Sequence, residues 1–316
     1  MAGALRSAAL PLLVFGLLAA APFLGLGEGW AMTLLARAMI LGMAALSLWL
    51  VVGGAGLVSL GHAAMLGIGA YAVVVLDDAR VTETLVVAPV AIGAAALFAL
   101  ATGAVAIRTA GVPFIMITLA FGQMAFFTAS SLTAYGGDDG YTLYGRSTVA
   151  GARWMEDRLA FHFLCLGLLA GTFLLCRMLL ASRFGRVLRA ARENALRVQA
   201  VGLSPYPYRL VAYAIAGGIA GLAGFLLANA TEFVAPSFLA WQRSGDLLFM
   251  VILGGLGSPF GAVLGALAIL LLEEWLGHLT QHWRLLFGPL LVLAVLFLRG
   301  GLVGLPAQLG GGLRRG

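Results

Sequence analysis

Glu274, His278 and His282 follow one another at i+4 spacing, which would set three metal ligands on one helix face. No HExxH motif accompanies them, and no second helix offers an obvious fourth ligand. They read as wet residues near a helix end, and no metal site is assigned. A second histidine, His62, lies in a different setting. Gly53, Gly54, Gly56, Gly61, Gly67 and Gly69 crowd into 17 residues around it, inside an otherwise apolar run. Glycine costs about 1 kcal/mol in a helix interior, so the helix is expected to break there. An ionisable side chain at membrane depth points to function. A histidine that hydrogen-bonds to close the break is the alternative.

A third group has the spacing of an amphipathic helix. Phe184, Val187, Leu188, Ala191, Ala195 and Val198 share one face, while Arg183, Arg186, Arg189, Glu193 and Arg197 share the other. Gly202 stands where a helix C-cap belongs, and Pro205 and Pro207 forbid continuation. Such a helix either rests on anionic headgroups or docks to a protein partner, and the pattern leaves both open. The fourth group is structural. Gly257, Gly261 and Gly265 form a tandem GxxxG after Pro259, and Gly217, Gly221 and Gly224 offer a similar small face for close helix packing.

Covalent chemistry has little to work with. All 19 cationic residues are Arg. Without Lys there is no Schiff base and no P-loop, so the chain cannot hydrolyse ATP by a Walker-A mechanism. Cys165 and Cys176 fall about 16 Å apart on one helix and cannot pair. Nothing resembles a nucleophile elbow or a CxxC, no cofactor is implied, and the chain is read as no enzyme.

These residues must be positioned by membrane-spanning helices. Of the 316 residues, 62% are hydrophobic and 10% are charged, against about 25% charged in soluble domains. That excludes a soluble enzyme, a nucleic-acid-binding domain and a disordered chain. The apolar runs are continuous, unlike the alternating strands of a β-barrel. The fold expected is all-α and polytopic, with about 8–10 transmembrane or broken helices and one cytoplasmic helix. Candidate spans are 7–26, 31–52, 57–76, 84–106, 112–131, 160–180, 210–229, a weaker 246–257, 259–275 and 285–299. The first run also has features of a secretory signal at Ala19–Ala21, but is read as a span.

The stretch Arg177–Arg209 holds seven Arg and one Glu. The positive-inside rule places it in the cytoplasm. Counting crossings from it puts Arg6, Arg108, Arg299, Arg314 and Arg315 inside too, provided that 246–257 crosses. Residues 132–158 fall outside and are too polar to span. The acidic residues are expected at or near helix ends, which argues against proton or sodium coupling.

Together the segments resemble the permease subunits of ATP-binding-cassette importers for branched-chain amino acids, of the LivM-like type. SLGHAAMLGIGAY at 59–71 is similar to that family's signature. So are ITLAFGQM at 117–124 with the following Gly136–Gly140, the stretch 185–224, and LGGLGSPFGAVLGA at 253–266. Leu57, Met65, Asp138 and Ala262 depart from residues common in the family, which leaves the fold intact and the substrate open.

The resemblance implies one permease domain over 1–316, multi-pass in the bacterial inner (cytoplasmic) membrane. It implies a second permease subunit, two ATPase subunits and a periplasmic substrate-binding protein as partners, with the lipid bilayer around them and no nucleic acid. It makes 183–209 the cytoplasmic coupling loop, with Arg189, Arg192, Glu193, Asn194 and Gly202 as coupling residues. Arg192 and Glu193 would face an ATPase groove. The periplasmic loop 132–158 would meet the binding protein through Asp138 and Asp139. Ser59, His62, Thr118 and Gln123 would face the translocation path. The substrate implied is a branched-chain or related small amino acid. Relatives of this type also carry urea or short amides, and a self-sufficient secondary transporter is the other alternative.

Overall fold

The computed structural model describes residues 2–24, 29–149, 151–279, 282, 285, 287–290, 292–293 and 300–304. The expected span 285–299, Arg299, Arg314 and Arg315 lie wholly or largely outside these residues. Eleven α-helices are described. In chain order they are α1 (Ala2–Ala20), α2 (Gly29–Trp49), α3 (His62–Asp78), α4 (Thr84–Ala106), α5 (Val112–Ser131), α6 (Arg158–Ala181), α7 (Arg183–Glu193), α8 (Ala195–Ala200), α9 (Pro205–Thr231), α10 (Trp241–Gly254) and α11 (Pro259–Leu279). Two short strands, β1 (Tyr141–Thr142) and β2 (Phe233–Val234), pair antiparallel. Among the described residues, six helices are long and apolar enough to cross a membrane: α2 with its following turn, α4, α5, α6, α9 and α11.

The core forms around α2, α3 and α9. The α2 window is 89% buried and the α9 window 72%, against 22% for α4 and α5. Glycine makes the central crossing possible. A Cβ on Gly224 would overlap the Leu66 carbonyl oxygen, and one on Gly69 or Gly221 would overlap backbone or Ala95. In a bilayer, helix association rests on such close van der Waals packing, because lipid is as apolar as the helices. The expected small face at Gly217, Gly221 and Gly224 is therefore a packing face against α3 and α4.

The tandem 257–261–265 motif resolves differently. Gly261 and Gly265 do meet α10, where a Cβ would overlap the Gly254 and Met250 carbonyl oxygens. Gly257 faces open space, and the third member of the contact is Gly254. The chain reverses between α10 and α11 at 255–258, so Gly257 sits in the turn rather than on a helix face.

The weak span at 246–257 is also recast. α10 is only 14 residues long. The chain leaves β2, makes a 3-10 turn at Pro236–Phe238 and packs Leu239 onto Gly67 of α3 before α10 begins. Val234, Pro236, Phe238 and Leu239 are buried. Irregular backbone within a membrane is tolerated only where protein covers it or it lines a cavity, and here α3 and α5 cover it.

Candidate functional site

The expected helix break is present between α2 and α3. α2 ends in a π-helical turn at Leu50–Gly54, Gly56 takes a left-handed φ of 72°, and residues 56–61 are not helical before α3 starts at His62. A Cβ on Gly61 would overlap the Thr118 carbonyl oxygen of α5, and one on Gly122 would lie 3.1 Å from the Gly61 Cα. The break and α5 are thus pressed backbone to backbone.

Polar groups from α2, α3, α9 and α10 close this break. Ser47 Oγ donates to the Ala44 carbonyl at 2.7 Å and also lies 2.7 Å from His62 Nε2. A hydroxyl has one proton, so Ser47 accepts from His62, which fixes the Nε2–H tautomer. Ser59 Oγ lies 3.3 Å from Tyr213 Oη of α9. The Ala63 amide, unpaired within the first turn of α3, donates to Ser244 Oγ of α10 at 2.9 Å. Thr118 Oγ1 donates to the Ile115 carbonyl at 3.0 Å.

Ser59, His62 and Thr118, expected to face a path, are 0%, 0% and 1% exposed. Their polar atoms serve the interior of this chain and do not reach its surface. Gln123 differs, being half-buried and without a hydrogen-bond partner among the described residues. Ser47, Tyr213 and Ser244 complete the cluster and were not singled out by sequence, since single hydroxyls in apolar runs carry no spacing signal.

The amphipathic segment forms two helices, not one. Asn194 adopts extended backbone, ends α7, and caps α8 by accepting from the Arg197 amide at 2.9 Å. Asn is among the best N-cap residues, so this was a legible break. Gly202 follows α8 at φ 82°, with Leu203 N bonded back to Val198 O in the helix-ending pattern that glycine permits. Gly185, where a Cβ would overlap Leu180 backbone, lets α7 fold tightly against the end of α6.

α7 is tied to three membrane helices. Arg189 donates to the Leu180 carbonyl of α6 at 3.0 Å. Arg209 of α9 donates to the Ala191 carbonyl at 2.9 Å. Arg192 donates to the Gly53 carbonyl in the π-turn of α2. Arg192, which the resemblance has face an ATPase groove, is exposed while its guanidinium reaches α2. Glu193 is exposed and has no ion-pair partner among the described residues. Leu196 and Val201 are each 76% exposed next to it.

At the opposite end, residues 132–149 and 151–157 form a cap that includes short 3-10 turns and β1. Asp138 and Asp139 are exposed at its surface. Buried Asn229 of α9 accepts from the Ser147 amide at 2.7 Å. Arg146 pairs with Glu232 at 2.9 Å and donates to the Met155 carbonyl at 2.6 Å. Further along that end, Glu274 and His278 bond each other at 3.3 Å, and His278 packs edge-on against Trp30.

Residues 31–296 match the family described as "Branched-chain amino acid transport system / permease component". The chain is 31% identical over 284 residues to the high-affinity branched-chain amino acid transport system permease protein LivM of Salmonella typhimurium, and 28% identical over 281 residues to that of Escherichia coli. Each alignment covers 82% of this chain and 66% of the relative, so the chain spans just under two thirds of their length. A probable LivH permease of Methanocaldococcus jannaschii is 34% identical over 112 residues, covering 34% of this chain and 32% of that one. No solved structure matches.

Proposed function

The chain belongs to the family of branched-chain amino-acid transport permeases, and from that premise we propose that it is one of two membrane subunits of an ATP-binding-cassette importer. With a second permease it encloses a path for branched-chain or related small amino acids. Two ATPase subunits drive it, and a periplasmic binding protein delivers the substrate. It works in the bacterial inner membrane, with the α7–α8 end in the cytoplasm.

One observation carries this reading: α7 is exposed on one side and fastened to α2, α6 and α9 on the other. A helix resting on lipid would not need three such ties. A helix that receives force from an ATPase does. Glu193, Leu196 and Val201 are the docking face, and Asn194 and Gly202 set the shape of the loop. Arg189 and Arg192 transmit the motion. At the other end Asp138 and Asp139 meet the binding protein, where opposite charges chiefly steer encounter. Gln123 faces the path. The chain itself supplies no ATP-hydrolysing group, in keeping with its lack of Lys.

The test is a mild-detergent pull-down of the tagged chain from its native membrane, followed by mass spectrometry. Recovery of a Walker-A ATPase and a second permease is the expected result. Recovery of this chain alone, repeated after crosslinking, would overturn the reading in favour of a self-sufficient transporter.

A further inference from the structure

The segment from β2 into α10 carries charge to an unexpected depth. Ser244 accepts from the Ala63 amide, and Ala63 lies at the deep end of α3. From Ala63 to Asp78 that helix rises ~22 Å. Even at a 40° tilt this is ~17 Å of depth, beyond the middle of a hydrocarbon core roughly 30 Å thick. Leu239, five residues earlier, already packs on Gly67. The second turn of α10 therefore stands within the membrane, and Asp246 is not near a membrane surface as its sequence position suggested.

Three polar side chains flank Ser244 there. Gln242 is exposed; Arg243 and Asp246 keep 42% and 51% of their side-chain surface. Ser244 and Leu247, on the inward face of the same helix, are 1% and 3% exposed. The helix thus turns its charged face away from the core of this chain. Charges facing lipid at this depth are expensive and rare, and as a rule they face a water-filled cavity or a bundle interior. Gln123 belongs to the same level, because its neighbour Gly122 abuts Gly61 beside the helix break.

Arg243 Nη1 and Asp246 Oδ2 are 3.9 Å apart on the exposed side of the helix. A cation and an anion side by side complement a zwitterion. We propose that Arg243 and Asp246 form a transit subsite for the charged backbone of an α-amino acid: Arg243 receives the carboxylate and Asp246 the ammonium. The apolar side chain of the substrate then needs no polar partner. Urea and short amides carry neither charge and would gain nothing from the pair. This inference deepens the proposed function and rests on it.

The complete importer, reconstituted in liposomes with its binding protein and ATP, tests it through uptake of radiolabelled L-leucine. R243Q and D246N are each expected to lower uptake at least tenfold, with complex recovery and basal ATP hydrolysis within twofold of wild type. Unchanged uptake in both variants overturns the subsite. Should either variant fail to assemble, the swap R243D/D246R decides, because it keeps an intrahelical pair. Assembly with wild-type uptake assigns a merely structural pair and overturns the proposal; assembly with uptake still lost supports it. A wild-type complex that takes up no leucine instead overturns the underlying reading, and the subsite with it.

Discussion

Arg192, in the last turn of α7, donates its guanidinium to the carbonyl of Gly53, the fourth residue of the π-turn that closes α2. Single π-turns inside helices are rare and concentrate at functional sites. Three residues on, Gly56 holds a left-handed φ against the Arg192 side chain, where a Cβ would lie 2.7 Å from Cγ. Beyond it the break leads to Ser59 and His62. Arg192 thus ties α7 to the interrupted α2–α3 stretch of the core, and Arg209 ties it to α9. The two routes meet where Ser59 touches Tyr213.

Arg192→Ala removes the first route without touching the packing of Leu188 and Ala191. The complex is expected to assemble and to hydrolyse ATP, with leucine uptake per ATP falling about tenfold, which corresponds to ~1.4 kcal/mol of lost coupling. Gly56→Ala should give a related defect, because it strains the left-handed turn and crowds Arg192. Parallel measurement of ATP hydrolysis and uptake in liposomes checks both, and an unchanged ratio in Arg192→Ala would remove this tie from the transmission route.

Glu193→Ala should act differently. The carboxylate is exposed and makes no hydrogen bond or ion pair among the described residues, so stability is expected to be unchanged within ~0.5 kcal/mol. Recovery of the ATPase in a pull-down should drop severalfold, more so when Leu196→Ser is added. Full recovery with the double variant would argue that this face meets lipid.

The glycines separate packing from turn. Gly265→Ala drives a methyl group into the Met250 carbonyl, and backbone cannot yield as a flexible side chain can. Overpacking of this kind typically costs about 1–3 kcal/mol. Gly257→Ala meets open space and should be close to neutral. Thermal unfolding in detergent should rank the two clearly, although both belong to the same GxxxG pattern.

That contrast shows where sequence stops being informative. The all-α membrane fold, the break after Gly53, the cap at Gly202 and the apolar face of 184–198 follow from local rules of propensity and period, and each is present among the described residues. The capping preference of Asn194 marks a further break, which a continuous apolar period concealed. Which glycine packs is decided by the helix opposite, and the local pattern cannot express that. Ser59, His62 and Thr118 look alike with Gln123 in sequence, yet each of those three makes a hydrogen bond and Gln123 makes none among the described residues, because partners such as Ser47 and Tyr213 come from distant helices. The position of Arg243 and Asp246 was hidden for a related reason: it is set by Leu239 against Gly67 and by Ser244 on the Ala63 amide, partners far away in the chain.

Asn229 should be a latch for the cap that carries Asp138 and Asp139. Its Oδ1 takes the Ser147 amide, and its Nδ2 donates to the Phe225 carbonyl at 2.9 Å. Asn229→Leu keeps the branched shape but leaves a buried amide without an acceptor, a cost of about 1–3 kcal/mol. Hydrogen exchange is expected to accelerate around 143–149 while α9 stays protected. Uniform acceleration along α9 would mean that the residue supports the helix rather than the cap.

His62 offers the sharpest separation between a structural and a transporting role. Its Nε2–H reaches Ser47, and its Nδ1 has no partner in a fully buried setting. A group that only closes the break needs one donor at the Nε2 position. Gln can supply that donor from its amide, so His62→Gln should keep most uptake and lose at most ~1 kcal/mol of stability. His62→Leu has no donor but leaves Ser47 bonded to Ala44, so it too should fold, with a lower unfolding temperature and a partial loss of uptake. A path role predicts another order: both variants would fold, and both would stop transport while ATP hydrolysis continued. Uptake and unfolding temperature, measured on the same preparations, distinguish the two. Uptake that follows stability across His62→Gln and His62→Leu assigns the histidine to the helix break, and complete loss in a stable His62→Gln protein assigns it to the path.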